Sequence, residues 1–79
     1  MYAASPIQKA LHLYFPKRLA ELRQERQLSI EQLAETTAID LVKLRRFEAG
    51  GLQPTLDDVK NIAAALEVGI EVLLAPPQT

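Results

Sequence analysis

Two short helical segments follow one another between residues 28 and 50 with almost no linker between them. Ser29 is a favourable N-cap, and Gln32 three positions later completes a capping box, so a helix is predicted to begin directly after Ser29. Asp40 supplies a second, acidic N-cap, and Gly50 marks the end of the segment that follows it. Two helices in such close succession leave room only for a tight turn, and the rest of the fold must accommodate this pair.

The segment 41–48 has two distinct faces when it is drawn as a helix. Leu44 and Phe47 lie three positions apart on an apolar face, whereas Lys43 and Arg46 share the same spacing on a cationic face. The apolar face predicts packing on a core, and the cationic face predicts a surface left open. A helix supported in this way is typical of the element that enters the major groove of DNA.

The composition limits the chain to one small domain. With 79 residues and no cysteine, it can form a single small core, with neither a disulfide nor a cysteine-based zinc site. No apolar run reaches the length of a membrane span and no signal segment opens the chain, so we expect a cytoplasmic protein without a membrane partner.

The formal net charge of −1 conceals an uneven distribution. Residues 1–46 carry eight of the nine Lys and Arg against five acids, a balance of +3, whereas residues 47–79 carry one Lys against five acids, a balance of −4. Charge separated in this way can give one cationic face on an acidic protein. Solvated helices of mixed charge explain the same totals, so charge alone does not identify the partner.

The other segments are also predicted to be helical. Ser5 and Pro6 start a first helix, and Pro16 is expected to end it and to open the next helix over 17–27. Thr55 caps a later helix with two acids in its first turn, and residues 70–74 are expected to add a last short turn. No segment alternates with period two, so the prediction is an all-α bundle of five short helices preceded by a sixth.

From about residue 15 to residue 74 the chain resembles the lambda-repressor and Cro-like helix-turn-helix family, often called the xenobiotic-response-element (XRE) family. The resemblance implies a compact five-helix lambda-repressor-like domain with an extra N-terminal helix, binding operator DNA as a homodimer through its recognition helix 41–48. The matching positions, which keep the family's spacing without a gap, are Arg18-Leu19, Leu22-Arg23, Leu28-Ser29, Leu33-Ala34-Glu35, Ile39, Leu44, Phe47-Glu48, Gly50, Pro54, Leu56, Ile62-Ala63, Ala65-Leu66, Val68 and Leu73.

The resemblance implies DNA contacts from three regions of the chain. The implied contacts are Leu41, Val42, Lys43, Arg45 and Arg46 in the recognition helix, Ser29 and Ile30 at the start of the preceding helix, and Gly51, Gln53 and Thr55 in the following loop. Arg46 is expected to read a guanine edge, and the alternative is an arginine that is merely solvated or that pairs with Glu31 or Asp40. Lys43 and Arg45 are expected to meet phosphates, with ordinary surface charge as the alternative. Arg23 and Glu48 match a structural ion pair that would lock the recognition helix in place.

The chain departs from the family pattern in the turn and on the reading face. Ala38 replaces the usual glycine, so the turn must either avoid left-handed backbone or accept strain. Thr37 replaces an aliphatic residue, and Ile30 replaces a glutamine-like residue whose amide would reach DNA. Leu41 and Val42 cannot donate hydrogen bonds and could only contact thymine methyl groups, which predicts weaker or more A·T-dependent binding.

Two apolar regions exceed what a small core needs: the stripe Ile7, Ala10, Leu11 and Tyr14, and the tail residues Val72 and Leu74. They either fold onto their own domain or form a two-fold contact between two copies of the chain. A reader of palindromic half-sites needs such a contact.

These observations predict a DNA-binding transcriptional regulator, with repression by occupying an operator as the simplest mechanism. Its expected parts are an N-terminal extension (1–14, helical from about residue 6), the helix-turn-helix domain (15–74) and a disordered tail (75–79). The expected partners are double-stranded DNA and a second copy of the chain, and no cofactor is expected. A protein-interaction module, or an antitoxin that binds a toxin, is the alternative. No nucleophile–base pair, metal cluster or phosphate loop suggests an enzyme.

Overall fold

In the computed structural model, which describes residues 6–78, the regular structure is entirely helical, as predicted. None of the helices in this range has the length and apolar character needed to cross a bilayer. The elements in chain order are α1 (Pro6–Lys9), a π-helical turn (Ala10–Tyr14), α2 (Phe15–Glu25), α3 (Ile30–Thr37), α4 (Leu41–Ala49), α5 (Leu56–Ala65) and α6 (Ile70–Leu73).

The N-terminal helix does not end at Pro16, contrary to the sequence prediction. Helical structure runs from Pro6 to Glu25, and the backbone widens into a π-helical turn just before the proline. Phe15 N–H donates to the carbonyl of Ala10, five residues back. Proline has no N–H and crowds the carbonyl four residues before it, and the wider turn accommodates both effects without a break. The predicted Ser5 cap lies outside the described residues.

The core lies between the π-helical turn and helices α2 to α6, and it includes the rings of Phe15 and Phe47. Their rings meet edge to face, with centroids 5.8 Å apart and planes at 75°, a favourable arrangement for two aromatic rings. Both side chains are fully buried. The buried apolar cluster comprises Leu11, Phe15, Leu19, Leu22, Leu33, Ile39, Leu44, Phe47, Val59, Ile62, Ala63, Leu66 and Leu73.

Most of the extra apolar residues pack onto their own domain. Ala10 and Leu11 are buried, and Val72 and Leu74 are half-buried against the core. Ile7 remains about half exposed, as does Leu13, a residue outside the predicted stripe. The first of the two expectations, intramolecular packing, therefore accounts for most of this apolar surface.

Arg18 ties the C-terminal segment to α2. Although it is charged, Arg18 is buried, and its Nε donates to the carbonyl of Val72 at 2.9 Å while its Nη1 lies 3.3 Å from Glu21 Oε1. Further along, the backbone N–H of Gln78 donates to the same Glu21 oxygen at 3.2 Å. A buried guanidinium with these partners fixes the chain end across the first helix.

Candidate nucleic-acid interface

The first helix of the predicted pair begins as the capping signals indicated. Ser29 Oγ accepts from the backbone N–H of Gln32 at 3.0 Å, and Gln32 Oε1 accepts from the N–H of Ser29 at 2.8 Å. This reciprocal capping box satisfies two backbone donors that a helix start would otherwise leave unpaired. The Ser29 hydroxyl, predicted to contact DNA, is therefore already engaged in fixing the start of α3.

The turn between α3 and α4 contains a left-handed residue that is not glycine. Ala38 has φ 59° and ψ 21°, so of the two expectations the strained one holds. Thr37 is buried, and its Oγ1 donates to the carbonyl of Leu33 at 2.7 Å and accepts from the N–H of Ile39 at 3.2 Å. Asn61 from α5 donates to the carbonyl of Thr37 at 2.7 Å. These three hydrogen bonds hold the turn in its strained form.

The second helix, α4, is anchored on its inner face and capped at both ends. Asp40 Oδ1 accepts from the N–H of Val42 at 2.8 Å, and Leu44 and Phe47 are fully buried, as predicted. At the other end Gly50 adopts φ 79°, and the N–H of Gly51 donates to the carbonyl of Arg46 at 2.9 Å. Only a residue that tolerates positive φ closes a helix in this way, which explains glycine at position 50.

The outward face of α4 combines apolar and cationic side chains. Val42 is 62% exposed, Leu41 is half-buried, and Arg45 and Arg46 are exposed. Arg46 makes no ion pair with any carboxylate in the described part of the chain, so the alternative of pairing with Glu31 or Asp40 does not apply to it. Its guanidinium can present parallel N–H groups to a planar acceptor edge.

The other two cations of α4 have intramolecular partners. Lys43 Nζ lies 3.5 Å from Asp58 Oδ2 of α5 and 5.8 Å from the centroid of the Phe47 ring. Arg45 Nη2 lies 3.7 Å from Glu31 Oε2, with both side chains about 60% exposed. Acids of α5 and α3 therefore each pair with one of these two cations, Asp58 with Lys43 and Glu31 with Arg45.

Arg23 of α2 joins Glu48 of α4 in the ion pair that the sequence predicted. Arg23 Nε and Nη2 donate to Glu48 Oε2 and Oε1 at 2.7 and 3.1 Å, and Nη1 donates to the carbonyl of Leu28 at 2.8 Å. The Glu48 hydrogen bond raises the pKa of Arg23 above its ordinary value, outweighing the effect of burial. The two side chains are about 15% exposed, so this bidentate contact clamps α4 to α2.

The remaining residues that were predicted to contact DNA differ in how far they are exposed. Ile30 is half-buried and packs against the core cluster. Gln53 is exposed in the loop between α4 and α5. Thr55 is exposed, but its Oγ1 accepts from the N–H of Asp58 at 3.1 Å and caps α5.

Sequence reasoning missed the contacts of four residues: Thr37, Asp58 and Asn61 next to this surface, and Arg18, which holds the C-terminal segment against α2. Arg18 and Asp58 were treated as charge and helix-start signals, and their long-range partners have no local sequence signature. Thr37 was recorded only as a departure from the family pattern. The polar residue at that position could have indicated a hydrogen-bonded turn, because threonine hydroxyls commonly bond the carbonyl four residues earlier.

Comparison with known proteins places the chain in a family. Residues 17–75 match the family model described as a helix-turn-helix domain. Over 61 residues, 77% of the chain, it is 34% identical to the HTH-type transcriptional regulator SutR of Escherichia coli K12. The chain spans about a third of that relative, since the match covers 34% of its length.

Several solved structures are similar in fold to this chain. The restriction-modification controller protein C.AhdI from Aeromonas hydrophila is similar with a TM-score of 0.74 at 29% identity, covering 84% of this chain and 97% of that one. A hypothetical transcription factor from Neisseria, NHTF, has a TM-score of 0.81 at 27% identity, covering 99% and 90%. An HTH_3 family transcriptional regulator from Vibrio cholerae has a TM-score of 0.74 at 25% identity, covering 87% of this chain and 38% of its own.

The turn geometry, the anchored α4 and these similarities agree with one another, and the chain belongs to the XRE-like helix-turn-helix family.

Proposed function

We propose that this chain is a sequence-specific DNA-binding transcriptional regulator that inserts α4 into the major groove. The observation that carries this proposal is the construction of α4, which is buried through Leu44 and Phe47 and presents Val42, Arg45 and Arg46 to solvent. The controller and regulator names of the similar proteins support the same function. Occupying an operator and excluding other proteins from it is the simplest mechanism for a DNA-binding domain of this kind, so we propose repression.

The proposed contacts divide by chemistry. Arg46 reads a base edge, and Val42 with Leu41 packs against thymine methyl groups. Arg45 and Lys43 approach phosphates from α4. The start of α3, at Ser29 and Ile30, and the loop with Gly51, Gln53 and Thr55 approach the backbone on either side. Because the Ser29 and Thr55 hydroxyls cap helices, these two residues are expected to contribute mainly the orientation of their segments.

The protein is further proposed to act as a homodimer in the cytoplasm and to have no enzymatic activity. Two copies with two-fold symmetry would place their α4 helices about 34–36 Å apart, on successive major grooves of one DNA face. Palindromic operators match that symmetry.

Selection of bound sequences from a random duplex pool tests the function directly. We expect enrichment of an inverted repeat, together with binding that weakens steeply with salt concentration, because displaced counterions accompany each phosphate contact. Recovery of no enriched sequence, with no salt-sensitive retention on a heparin column, would instead favour the protein-interaction module. A matched comparison is Lys60→Ala, which removes an exposed cation from α5 with no proposed role and should leave the selected sequence unchanged.

A further inference from the structure

Lys43 is restrained by its own protein on two sides. Its Nζ lies 3.5 Å from Asp58 Oδ2, and it also lies over the Phe47 ring, 5.8 Å from the centroid. The Lys43 side chain is 44% exposed, so it occupies the border between the open face of α4 and the first turn of α5. A flexible lysine would rarely stay in such a position without a fixed partner, because ordering it costs side-chain entropy.

Asp58 is a fixed partner. Its Oδ2 accepts from the backbone N–H of Thr55 at 3.1 Å, while its own backbone N–H donates to Thr55 Oγ1 at 3.1 Å. The side chain is only 15% exposed. The capping box therefore positions the carboxylate independently of Lys43, and the same oxygen that closes the box faces the ammonium.

The second acid–cation pair of the interface lacks this support. Arg45 and Glu31 are 3.7 Å apart, and about 60% of each side chain is exposed. No backbone N–H in residues 6–78 donates a hydrogen bond to the Glu31 carboxylate. Exposed pairs of this kind contribute little and are screened by salt.

We propose that Asp58 is a specificity- and affinity-setting residue that competes with DNA phosphates for Lys43. This inference rests on the proposed function. Because the ammonium already faces a carboxylate, Lys43 neutralises little phosphate charge on a duplex of arbitrary sequence and displaces few of the cations condensed on that DNA. The protein thus binds random DNA more weakly than its cation count implies, and Asp58, which contacts no DNA in this scheme, determines the difference.

The direct test is Asp58→Asn, measured by binding to random-sequence duplex over a range of salt concentrations. Asparagine keeps a side-chain oxygen that can accept from Thr55 N–H, so the capping box is expected to survive. Freeing Lys43 for one more phosphate should steepen the slope of log affinity against log salt by about 0.9 and raise the affinity roughly 3- to 10-fold near 0.1 M salt. The matched control is Asp57→Asn, which removes the same charge from the same helical turn. Asp57 is exposed and forms no ion pair within residues 6–78.

A double-variant comparison separates competition from a general change in charge. In a Lys43→Ala background, Asp58→Asn should have no effect on the slope. Lys43→Ala alone should change the slope far less than Arg45→Ala does, because Arg45 is the proposed phosphate contact whose own ion pair is exposed. The measurement on Lys43→Ala alone leaves the capping box unchanged. Thermal unfolding of each variant checks that the variant is folded.

Three results would each overturn the inference: an equal gain from Asp57→Asn, a gain that persists without Lys43, or a loss of about 0.9 in slope from Lys43→Ala alone. These differ from failure of the proposed function, in which the unaltered chain would show no salt-sensitive binding to any duplex.

Discussion

Arg46 is the residue on which the proposed base reading depends most directly. It lies one helical turn beyond the start of α4, it is exposed, and no carboxylate in residues 6–78 pairs with it. The Schellman-type closure at Gly50 and Gly51 uses the Arg46 carbonyl, which fixes its backbone and does not involve the guanidinium. Lys43, by contrast, has its charge matched before DNA arrives. Of these two cations of α4, Arg46 is therefore the one whose charge is available to contact a base.

Arg46→Ala is expected to weaken binding to the selected operator by about 1–3 kcal/mol and to relax the base preference at one position of each half-site, because a bidentate guanidinium–guanine contact would be lost. A gel shift with the selected duplex and with single-base variants measures both effects. Unchanged affinity for the selected duplex would show that Arg46 does not read DNA. The exposed cation Lys60 provides the control, since Lys60→Ala should preserve the base preference.

Ala38→Gly tests the strain in the turn. At φ 59° alanine pays a steric cost that glycine does not, so the change should stabilise the fold by about 0.5–1 kcal/mol after the entropy loss of glycine is deducted. Ala64→Gly, at an exposed position within α5, should instead destabilise by roughly 0.5–1 kcal/mol. Denaturant unfolding of the two variants measures these opposite shifts. Equal destabilisation would mean that the turn relaxes without left-handed backbone.

At the scale of elements, the clamp between α2 and α4 decides how rigidly the reading face is presented. Arg23 contacts α4 through Glu48 and the loop before α3 through the Leu28 carbonyl. One guanidinium therefore fixes three segments relative to one another. Because the contact is partly buried, we expect that the loss of stability when one partner is removed lies between the values for a surface pair and for a fully buried pair.

Glu48→Ala should lower stability by about 1.5–3 kcal/mol, because Arg23 would keep its partly buried charge and lose a bidentate acceptor. For a domain of this size that corresponds to a fall of roughly 4–8 °C in melting temperature for each kcal/mol. Glu35→Ala, at an exposed acid on α3, is the control and should shift the melting temperature little. No difference between the two variants in calorimetry would show that the clamp is superficial.

The clamp should not respond to moderate alkali. The folded-state pKa of Arg23 is raised, and the first cause is the hydrogen bond that Arg23 donates to the Glu48 carboxylate. A raised pKa contributes stability that is complete below the unfolded-state pKa and declines only as pH rises through the folded one. Since an arginine with a raised pKa keeps its proton far into the alkaline range, the Arg23 contribution should be constant across roughly pH 6–9.

Three helix starts and the glycine-closed end of α4 were predictable from the sequence, whereas three other helix ends were not. The caps at Ser29, Asp40 and Thr55 all form as predicted, because a cap depends on residues within one turn. Three other helices or turns close through left-handed residues that are not glycine, namely Gln27, Ala38 and Glu67. Their strain is offset by contacts with distant parts of the chain, such as Asn61 with Thr37. For the same reason the ion pair of Asp58 with Lys43, which joins two helices, was not predicted from the sequence.

At the scale of the whole molecule, most of the apolar surface is consumed by one small core. Ala10, Leu11 and Leu73 are buried, and within residues 6–78 the large apolar side chains that remain exposed are Ile7, Leu13, Val42 and Leu56. Val42 belongs to the proposed DNA-reading face. The proposed contact between two copies would therefore have little exposed apolar surface in this range, supplemented by the half-buried residues Val72 and Leu74.

We expect such a dimer to be modest in area and to form at micromolar concentration, with DNA strengthening it. Light scattering at high micromolar concentration should give twice the 8.8 kDa protomer mass, and dilution should return the single mass by mass action. On an inverted repeat with its half-sites one helical turn apart, two copies should bind cooperatively, whereas changing the spacing by half a turn places the second half-site on the opposite DNA face and should abolish the cooperativity. A single mass at every concentration, with independent binding at both spacings, would mean that each copy reads its half-site alone.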